Sequence, residues 1–355
     1  MATKLDISQL DFDGIKDNLK TFLTQQDEFT DYDFEGAGMN ILLDTLAYNT
    51  HYLAYNANML ANEMYLDSAD QRSSVVSLAK QVGYTPKSSV SSQATIDVLV
   101  NNGSGATITM SRGTKFTTTV DGTNYSFVNN ADVSITPVDG VYKFSNLDIF
   151  EGTYLNYKYT ANTSDTDQRF IIPNDNVDTT TLTVKVQNSS SDSTTNTYTL
   201  ASGITALDST SQVYFLQEVE NGRFEVYFGD NVLGKAIADG NIVILDYITC
   251  NLDEPNGATT FTLSGTVGGF SNVTITTVGN AANGSAAETI KSIKYNAPRD
   301  YTSQDRAVTA EDYKVLVKSL YANAQSVQVY GGEDAATPDY GKVYISIKAK
   351  SGSNL

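Results

Sequence analysis

The chain has 355 residues, with 41 Asp and Glu against 23 Lys and Arg, and a net charge of −18 at pH 7. A length beyond the usual single-domain size predicts two to four domains, each with its own core. Such acidity argues against a nucleic-acid-binding face, which relies on a basic patch and counterion release.

The N-terminal residues carry acidic side chains and no continuous apolar core, so no signal peptide is expected, and no apolar run approaches the length of a membrane span. Folding in a cytosol fits both. Ile15, Leu19, Phe22 and Leu23 share one face of a short amphipathic helix, and an acidic stretch over 27–35 separates it from a longer one. After the Gly36-Ala37-Gly38 joint, Leu42, Leu46, Thr50, Leu53, Ala57, Leu60 and Met64 recur at three-four spacing. That stripe predicts a helix over residues 39–66, a rod of about 40 Å at roughly 1.5 Å per residue. Tyr48, Tyr52 and Tyr55, with His51, widen the apolar surface beyond one seam, as favoured where a partner is buried. The plainer alternative is an intramolecular bundle with the next helix, opened by a Ser68/Gln71 capping box. There Val75, Leu78 and Val82 face inward, and Gly83 ends the helix before Pro86. Residues 1–86 form the expected helical module.

From Gln93 to about Val278 the pattern alternates with period two, as in Thr95-Ile96-Asp97-Val98 and Thr183-Val184-Lys185-Val186. Asp121-Gly122 and Asp139-Gly140 are hairpin turns flanked by bulky Phe116, Tyr125 and Phe127, and the polar run 188–196 reads as a mobile loop tip between paired strands. A boundary near Gly203 splits this region into a β-rich domain over 87–202 and a second over 203–280. The second is built around the turn Gly229-Asp230-Asn231-Val232-Leu233-Gly234, where Gly229 and Gly234 can take positive φ and Asp230 can accept from backbone amides. Cys250, ending a strand-like run, reads as a small buried hydrophobe. Residues 281–355 return to mixed helix and strand. Ala297-Pro298 should be extended, because a residue before proline leaves the helical region. A charged loop of Arg299, Asp300, Gln304, Asp305 and Arg306 then precedes a Thr309/Asp312 capping box. That box opens a helix with Tyr313, Leu316, Val317 and Leu320 on one face, and a last strand covers 342–350.

Catalytic chemistry finds little support. His51 is the one histidine and lies mid-helix among tyrosines, so neither a His-rich zinc site nor a general base is expected. A serine nucleophile lacks its elbow. The 229–235 turn lacks the Gly-Lys-Ser/Thr ending of a phosphate loop, and Gly103-Ser104-Gly105 lacks the third glycine of a dinucleotide fingerprint. Asn174, Asp175 and Asp178 lack the order of a calcium loop. No catalytic residue, cofactor or metal ligand is assigned.

Three blocks carry a resemblance. The segment APRDYTSQDRAVTAEDY over 297–313 closely resembles the signature of the baseplate wedge, or baseplate J-like, proteins of contractile-tailed phages and related injection machines. Tyr227-Phe228-Gly229-Asp230 through Gly234-Lys235, followed by Gly240-Asn241-Ile242-Val243 and Tyr247, is similar to that family's glycine-rich run, with Asn231 replacing a usual glycine. Gly36-Ala37-Gly38 with 42–48 and 61–66 is similar to its N-terminal helix. The resemblance implies a structural baseplate wedge subunit in the virion, made in the host cytoplasm and working without catalysis, nucleic acid or membrane insertion. It would pair as a homodimer, bind other wedge proteins, join six wedges around a central hub and relay host contact to sheath contraction. Family members are often longer, so a ring-closing C-terminal portion is expected to be missing, shortened or placed elsewhere. The expected molecule is α+β, multidomain and elongated: an N-terminal helical module, two β-rich domains and a C-terminal α/β portion. Leu46, Leu53, Tyr55, Leu60, Met64, Arg299, Gln304, Arg306, Asp312 and Tyr313 are its candidate interface residues, and Gly229, Asp230 and Gly234 its structural turn. A glycan-binding tail adhesin or a polysaccharide-degrading tail protein is the alternative; the absence of Trp weighs against the degrading enzyme, and the N-terminal rod and the 297–313 segment fit a scaffold better than either.

Overall fold

The structure, a computed structural model, describes residues 11–25, 36, 38–101, 106–201, 207–304, 306–321 and 324–349. The acidic stretch 27–35, Gly103-Ser104-Gly105, Gly203 and Asp305 lie outside these residues. The chain divides into two compact units, Met1–Val82 and Gly83–Leu355.

The first unit is helical: α1 (Phe12–Leu23), α2 (Gly38–Glu63) and α3 (Arg72–Gln81). α1 packs against α2. α2 has 26 residues, about 39 Å of helix, and ends a few residues short of the expected 66. The expected Ser68/Gln71 capping box does not form, since Gln71 precedes α3 without a side-chain cap. The Glu63 carboxylate replaces it, accepting the backbone N–H of Asp70 at 2.8 Å and of Gln71 at 3.2 Å. An ionised acceptor at a helix N-terminus satisfies orphan donors and complements the dipole, which a neutral Ser-Gln pair does less well. Partial burial raises the Glu63 pKa, but the bonds from Asp70, Ser74 and Gln71 outweigh it and hold the carboxyl below its usual value.

The second unit holds two nested β domains. Its strands are β1 (Gln93–Asn101), β2 (Ile108–Met110), β3 (Lys115–Val120), β4 (Thr123–Asn129), β5 (Val133–Ile135), β6 (Val141–Glu151), β7 (Thr153–Thr160), β8 (Phe170–Ile171) and β9 (Val177–Gln187). They continue as β10 (Thr195–Leu200), β11 (Val213–Glu218), β12 (Phe224–Phe228), β13 (Ile242–Thr249), β14 (Thr262–Ser264) and β15 (Thr274–Ala282). One six-stranded sheet runs β14-β3-β4-β6-β1-β15, and one seven-stranded sheet runs β7-β13-β9-β10-β11-β12-β8. This corrects the division at 203. Strands from both sides of that position share the seven-stranded sheet, and residues beyond it return to complete the six-stranded one. The 203–280 stretch cannot close a sheet alone, because β13 pairs with β9 and β7, and β15 with β1. The seven-stranded domain is an insertion between β6 and β14.

Period-two alternation does what the sequence implies. Ile96, Val98 and Val100 of β1 face a core shared with Phe116, Phe127, Phe144 and Ile149. Val184 and Val186 of β9 join Val226, Val243, Leu245 and Tyr247 in the second. Asp121-Gly122 turns β3 into β4 with φ of 48° and 83°, both positive as a two-residue hairpin turn demands. The 188–196 tip does join two paired strands. Its Asp192 carboxylate accepts from Asn188 Nδ2 at 2.7 Å and Thr194 N at 2.9 Å, which ties the tip to itself.

After the sheets come α4 (Ile290–Ser303), α5 (Ala310–Leu320) and the antiparallel pair β16 (Ala324–Gly331) and β17 (Val343–Ala349). α4 runs through Ala297 and Pro298, contrary to the extended segment expected there. The missing proline N–H is outweighed by burial of Ile293, Ala297 and Ser303, and the start of the helix is fixed by Thr289, whose Oγ1 accepts the Ser292 N–H at 3.3 Å. Arg299 Nη1 donates to the Tyr295 carbonyl at 2.7 Å.

Candidate assembly surfaces

α2 buries a narrow face. Asn40, Leu43 and Ala47, spaced at one helical side, are buried, and Lys16 of α1 pairs with Asp44 at 2.5 Å. Ala47, with no exposed surface, is small enough to let a neighbouring backbone come close. The expected stripe lies elsewhere on the cylinder: Leu46 is 53% exposed, Leu53 60% and Leu60 64%. Met64, just past the helix, and Tyr55 are exposed too, as are Tyr48 and Tyr52. Among the described residues, the 40/43/47 face is buried and the leucine and tyrosine faces of α2 are exposed. Exposed apolar residues of this kind make α2 a candidate interaction surface, and full burial of each leucine is worth about 1.5–3 kcal/mol.

A second surface lies on α4 and α5. The Arg299 guanidinium stacks over the Tyr295 ring at 3.6 Å, with Lys318 Nζ at 5.7 Å from the same ring. Arg299 is thus a helical residue on an aromatic platform, not part of a loop. Gln304 closes α4 in the left-handed region, φ 44°, its N–H bonded to the Asp300 carbonyl at 3.2 Å. Arg306 Nη2 donates to Gln304 Oε1 at 3.2 Å. The Thr309/Asp312 capping box forms as expected, and Asp312 also accepts the Val308 N–H at 3.2 Å. Its carboxyl is held low chiefly by the Thr309 backbone N–H, aided by the Arg306 charge despite slight desolvation. Gln304, Arg306 and Asp312 therefore come together. Tyr313 is half-buried, while Leu320 is exposed rather than aligned in a covered face.

The glycine-rich turn behaves differently from expectation at one position. Gly234 has φ 89°, but Gly229 does not have positive φ. Gly229 is needed for space: an added Cβ would sit 2.3 Å from the carbonyl oxygens of Leu233 and Gly234. Asn231 takes φ 66°, a value asparagine tolerates, and its Oδ1 accepts the Ala236 N–H at 3.0 Å. Asp230 accepts from Val232 and Leu233, both at 3.0 Å, which holds its carboxyl low, the Leu233 bond first.

The acidic residues considered for calcium serve the fold. Buried Asp178 accepts from Ser91 N at 2.8 Å and Thr180 Oγ1 at 2.6 Å, Asn174 accepts from the Tyr247 hydroxyl, and Asp175 pairs with Arg223 at 3.3 Å. Among the described residues no group of His, Cys, Asp and Glu is placed to hold a metal ion, and no helix is long and apolar enough to cross a membrane. His51 is exposed on α2. Cys250 is buried, and burial pushes its thiol up to about 11.

Sequence reading missed two things of weight. Tyr295 was not singled out, although Tyr295 and Arg299 stand at i and i+4, a signal hidden once Pro298 is taken to break the helix. Buried Glu288 accepts from the Tyr84 hydroxyl at 2.8 Å, from Lys87 N at 3.2 Å and from Asn296 Nδ2 at 2.8 Å, tying residues 84–87 to α4. Burial and the Glu288 charge push the Tyr84 hydroxyl pKa far up. No local pattern could have joined positions 204 residues apart.

Comparison with known proteins gives three family matches in chain order. Residues 11–84 match the model described as baseplate wedge protein gp6-like, helical domain; residues 157–252 match bacteriophage baseplate wedge protein gp6, third domain; and residues 309–355 match baseplate structural protein gp6, C-terminal domain I. The second match covers nearly the same residues as the seven-stranded insertion. The chain is 29% identical over 374 residues to the baseplate wedge protein gp6 of Enterobacteria phage T4, covering 97% of this chain and 54% of that protein. It thus spans about half the length of the curated relative. A solved structure, the cryo-EM baseplate of the anti-feeding prophage, overlaps 88% of this chain and 65% of its own with 12% identity and a TM-score of 0.31.

Proposed function

We propose, from the premise that this chain belongs to the gp6-like baseplate wedge proteins, that it is a structural subunit of a phage tail baseplate and that its exposed α2 face is a principal mating surface. The membership rests on three domain matches in the family's order together with the T4 relative. The observation that carries the proposal is the location of the apolar stripe: Leu46, Leu53 and Leu60 stand outside on a helix whose inner face is already occupied, and Tyr55 is exposed off that stripe.

Buried together in a helical bundle, those side chains contribute apolar area to an interface, with aromatic rings adding contact at little entropy cost. The partner is a second copy of the chain or another wedge protein, repeated around a sixfold baseplate. The α4–α5 surface, with Arg299, Gln304, Arg306 and Asp312, adds a polar contact whose planar guanidinium groups favour one geometry. Work of this kind is geometric. Interfaces of modest strength, repeated by symmetry, hold one arrangement until host contact favours another, and no bond-making step is assigned to the chain.

The test is the double substitution Leu53→Asp with Leu60→Asp, assayed by co-purification with the other proteins of the tail. The β domains are expected to stay folded while co-purification is lost. Retained co-assembly at the parent level removes α2 from the interface.

A further inference from the structure

The two β domains are joined by a neck. The chain leaves the six-stranded sheet at 151–153 and returns from the seven-stranded one at 249–251, and the two passages touch. Buried Glu151 accepts Asn251 N at 2.8 Å and Asn251 Nδ2 at 2.7 Å. Gly152, φ 129°, leaves no room for a side chain, since a Cβ would lie 2.1 Å from the Thr249 carbonyl oxygen. Two adjacent passages fix distance well and angle poorly, the arrangement expected of a hinge.

Off the neck, two side chains of the first domain reach the second: Asn130 Nδ2 donates to the Thr181 carbonyl at 3.4 Å, and Arg112 makes the wider set of contacts. Arg112, in the turn between β2 and β3, has its backbone N–H held by Asp132 at 2.6 Å. Its Nη1 donates to Asp246 Oδ2 at 3.4 Å, and its Nη2 to Asn130 at 2.6 Å and to the Thr181 carbonyl at 3.2 Å. The guanidinium also lies 4.9 Å from the centre of the Tyr154 ring. Asp132 and Asn130 belong to the first domain; Asp246, Thr181 and Tyr154 belong to the second. The receiving carboxylate is itself fixed, by Asn156 Nδ2 and by Lys185 Nζ at 3.3 Å. Asp246 lies three positions before Thr249 on β13, about 10 Å along the strand from the neck. Ser91 braces the other side through Asp178, but Asp178 sits opposite Ile248, beside the neck itself, where it has a short lever arm.

We propose that Arg112 is a positioning arm that sets the angle between the two nested β domains, the paired passages at 151–153 and 249–251 acting as the hinge. The proposal stands independently of the assembly reading. A planar fork bonded to both domains at once resists rotation in a way that a flexible ammonium or a neutral chain cannot.

The experiment uses the full chain with nitroxide labels at Thr199→Cys on β10 and Ser271→Cys, one exposed site on each domain, Cys250 remaining buried. Inter-label distances are read by pulsed electron resonance, with circular dichroism as the check that both sheets persist. The parent is expected to give one narrow distance, and Arg112→Leu a broadened or shifted one with unchanged sheet content. A distribution in Arg112→Leu as narrow as the parent's and centred at the same distance overturns the proposal. Should that variant fail to fold, the isosteric Asp246→Asn removes the receiving charge and carries the same reading: a broadened distribution supports the arm, an unchanged one overturns it.

Discussion

In the helical unit, Leu53 and Leu60 of a regular helix are 60% and 64% exposed, whereas Ile96 and Val184, equally apolar residues of the two β domains, have no exposed surface. Both regions are patterned by the period of their secondary structure. In the sheets the pattern is answered within the chain, because each strand finds its neighbours and each inner face its own core. In α2 only the 40/43/47 face is answered, and the larger stripe is left for something else. Periodicity thus reports which face of an element is apolar, not whether the same chain covers it.

The contrast is sharpened by substitution. The largest loss is expected at Phe127→Ala, a fully buried ring packed edge-on at 5.0 Å against Phe261, where truncation costs about 3–5 kcal/mol, read from the denaturant midpoint. Next comes Gly152→Ala at the neck. Its positive φ and the Thr249 carbonyl leave no place for a methyl group, and backbone strain of about 1–3 kcal/mol is expected in the same measurement. Glu63→Gln weakens the start of α3 by about 1 kcal/mol, as loss of a helix cap does. Because the folded Glu63 carboxyl titrates below its ordinary value of 4.5, its contribution is complete above that pH and fades as the pH falls through the folded value. Thermal melts of parent and variant should therefore converge in acid. A difference that persists in acid or grows there contradicts the cap. Smallest of all is the cost of Leu53→Asp with Leu60→Asp to the isolated chain, within about 0.5 kcal/mol per site, as for ordinary surface positions. A loss as large as that at Phe127 would mean that the stripe is covered by the chain itself, and the comparison would fail.

Much of the architecture was legible in residues. The helical start, the alternating strands, the Asp121-Gly122 hairpin and the Thr309/Asp312 cap all follow from local spacing. What escaped was non-local or energetic. Nesting of one β domain within another depends on which strands pair, and the pairing of β1 with β15 joins segments that no turn signal links. Pro298 argues for a break, and only the burial of Ile293 and Ala297 overrules it. The Ser68/Gln71 motif was a sound cap signal defeated by a stronger acceptor, Glu63, reaching back from the previous helix. Of the candidate interface, the α2 leucines could be named from spacing alone. The Arg299 platform was half seen, its arginine without its tyrosine.

The outward stripe of α2 is expected to be covered when the protein enters a tail. Hydroxyl-radical footprinting of side chains, comparing the free chain with intact tails, reads that coverage residue by residue. Leu53, Tyr55, Met59 and Leu60 are expected to react in the free chain and to be protected in the assembled tail, with Ile96 and Val184 unreactive in both. Equal reactivity of the α2 side chains in the two states would contradict it.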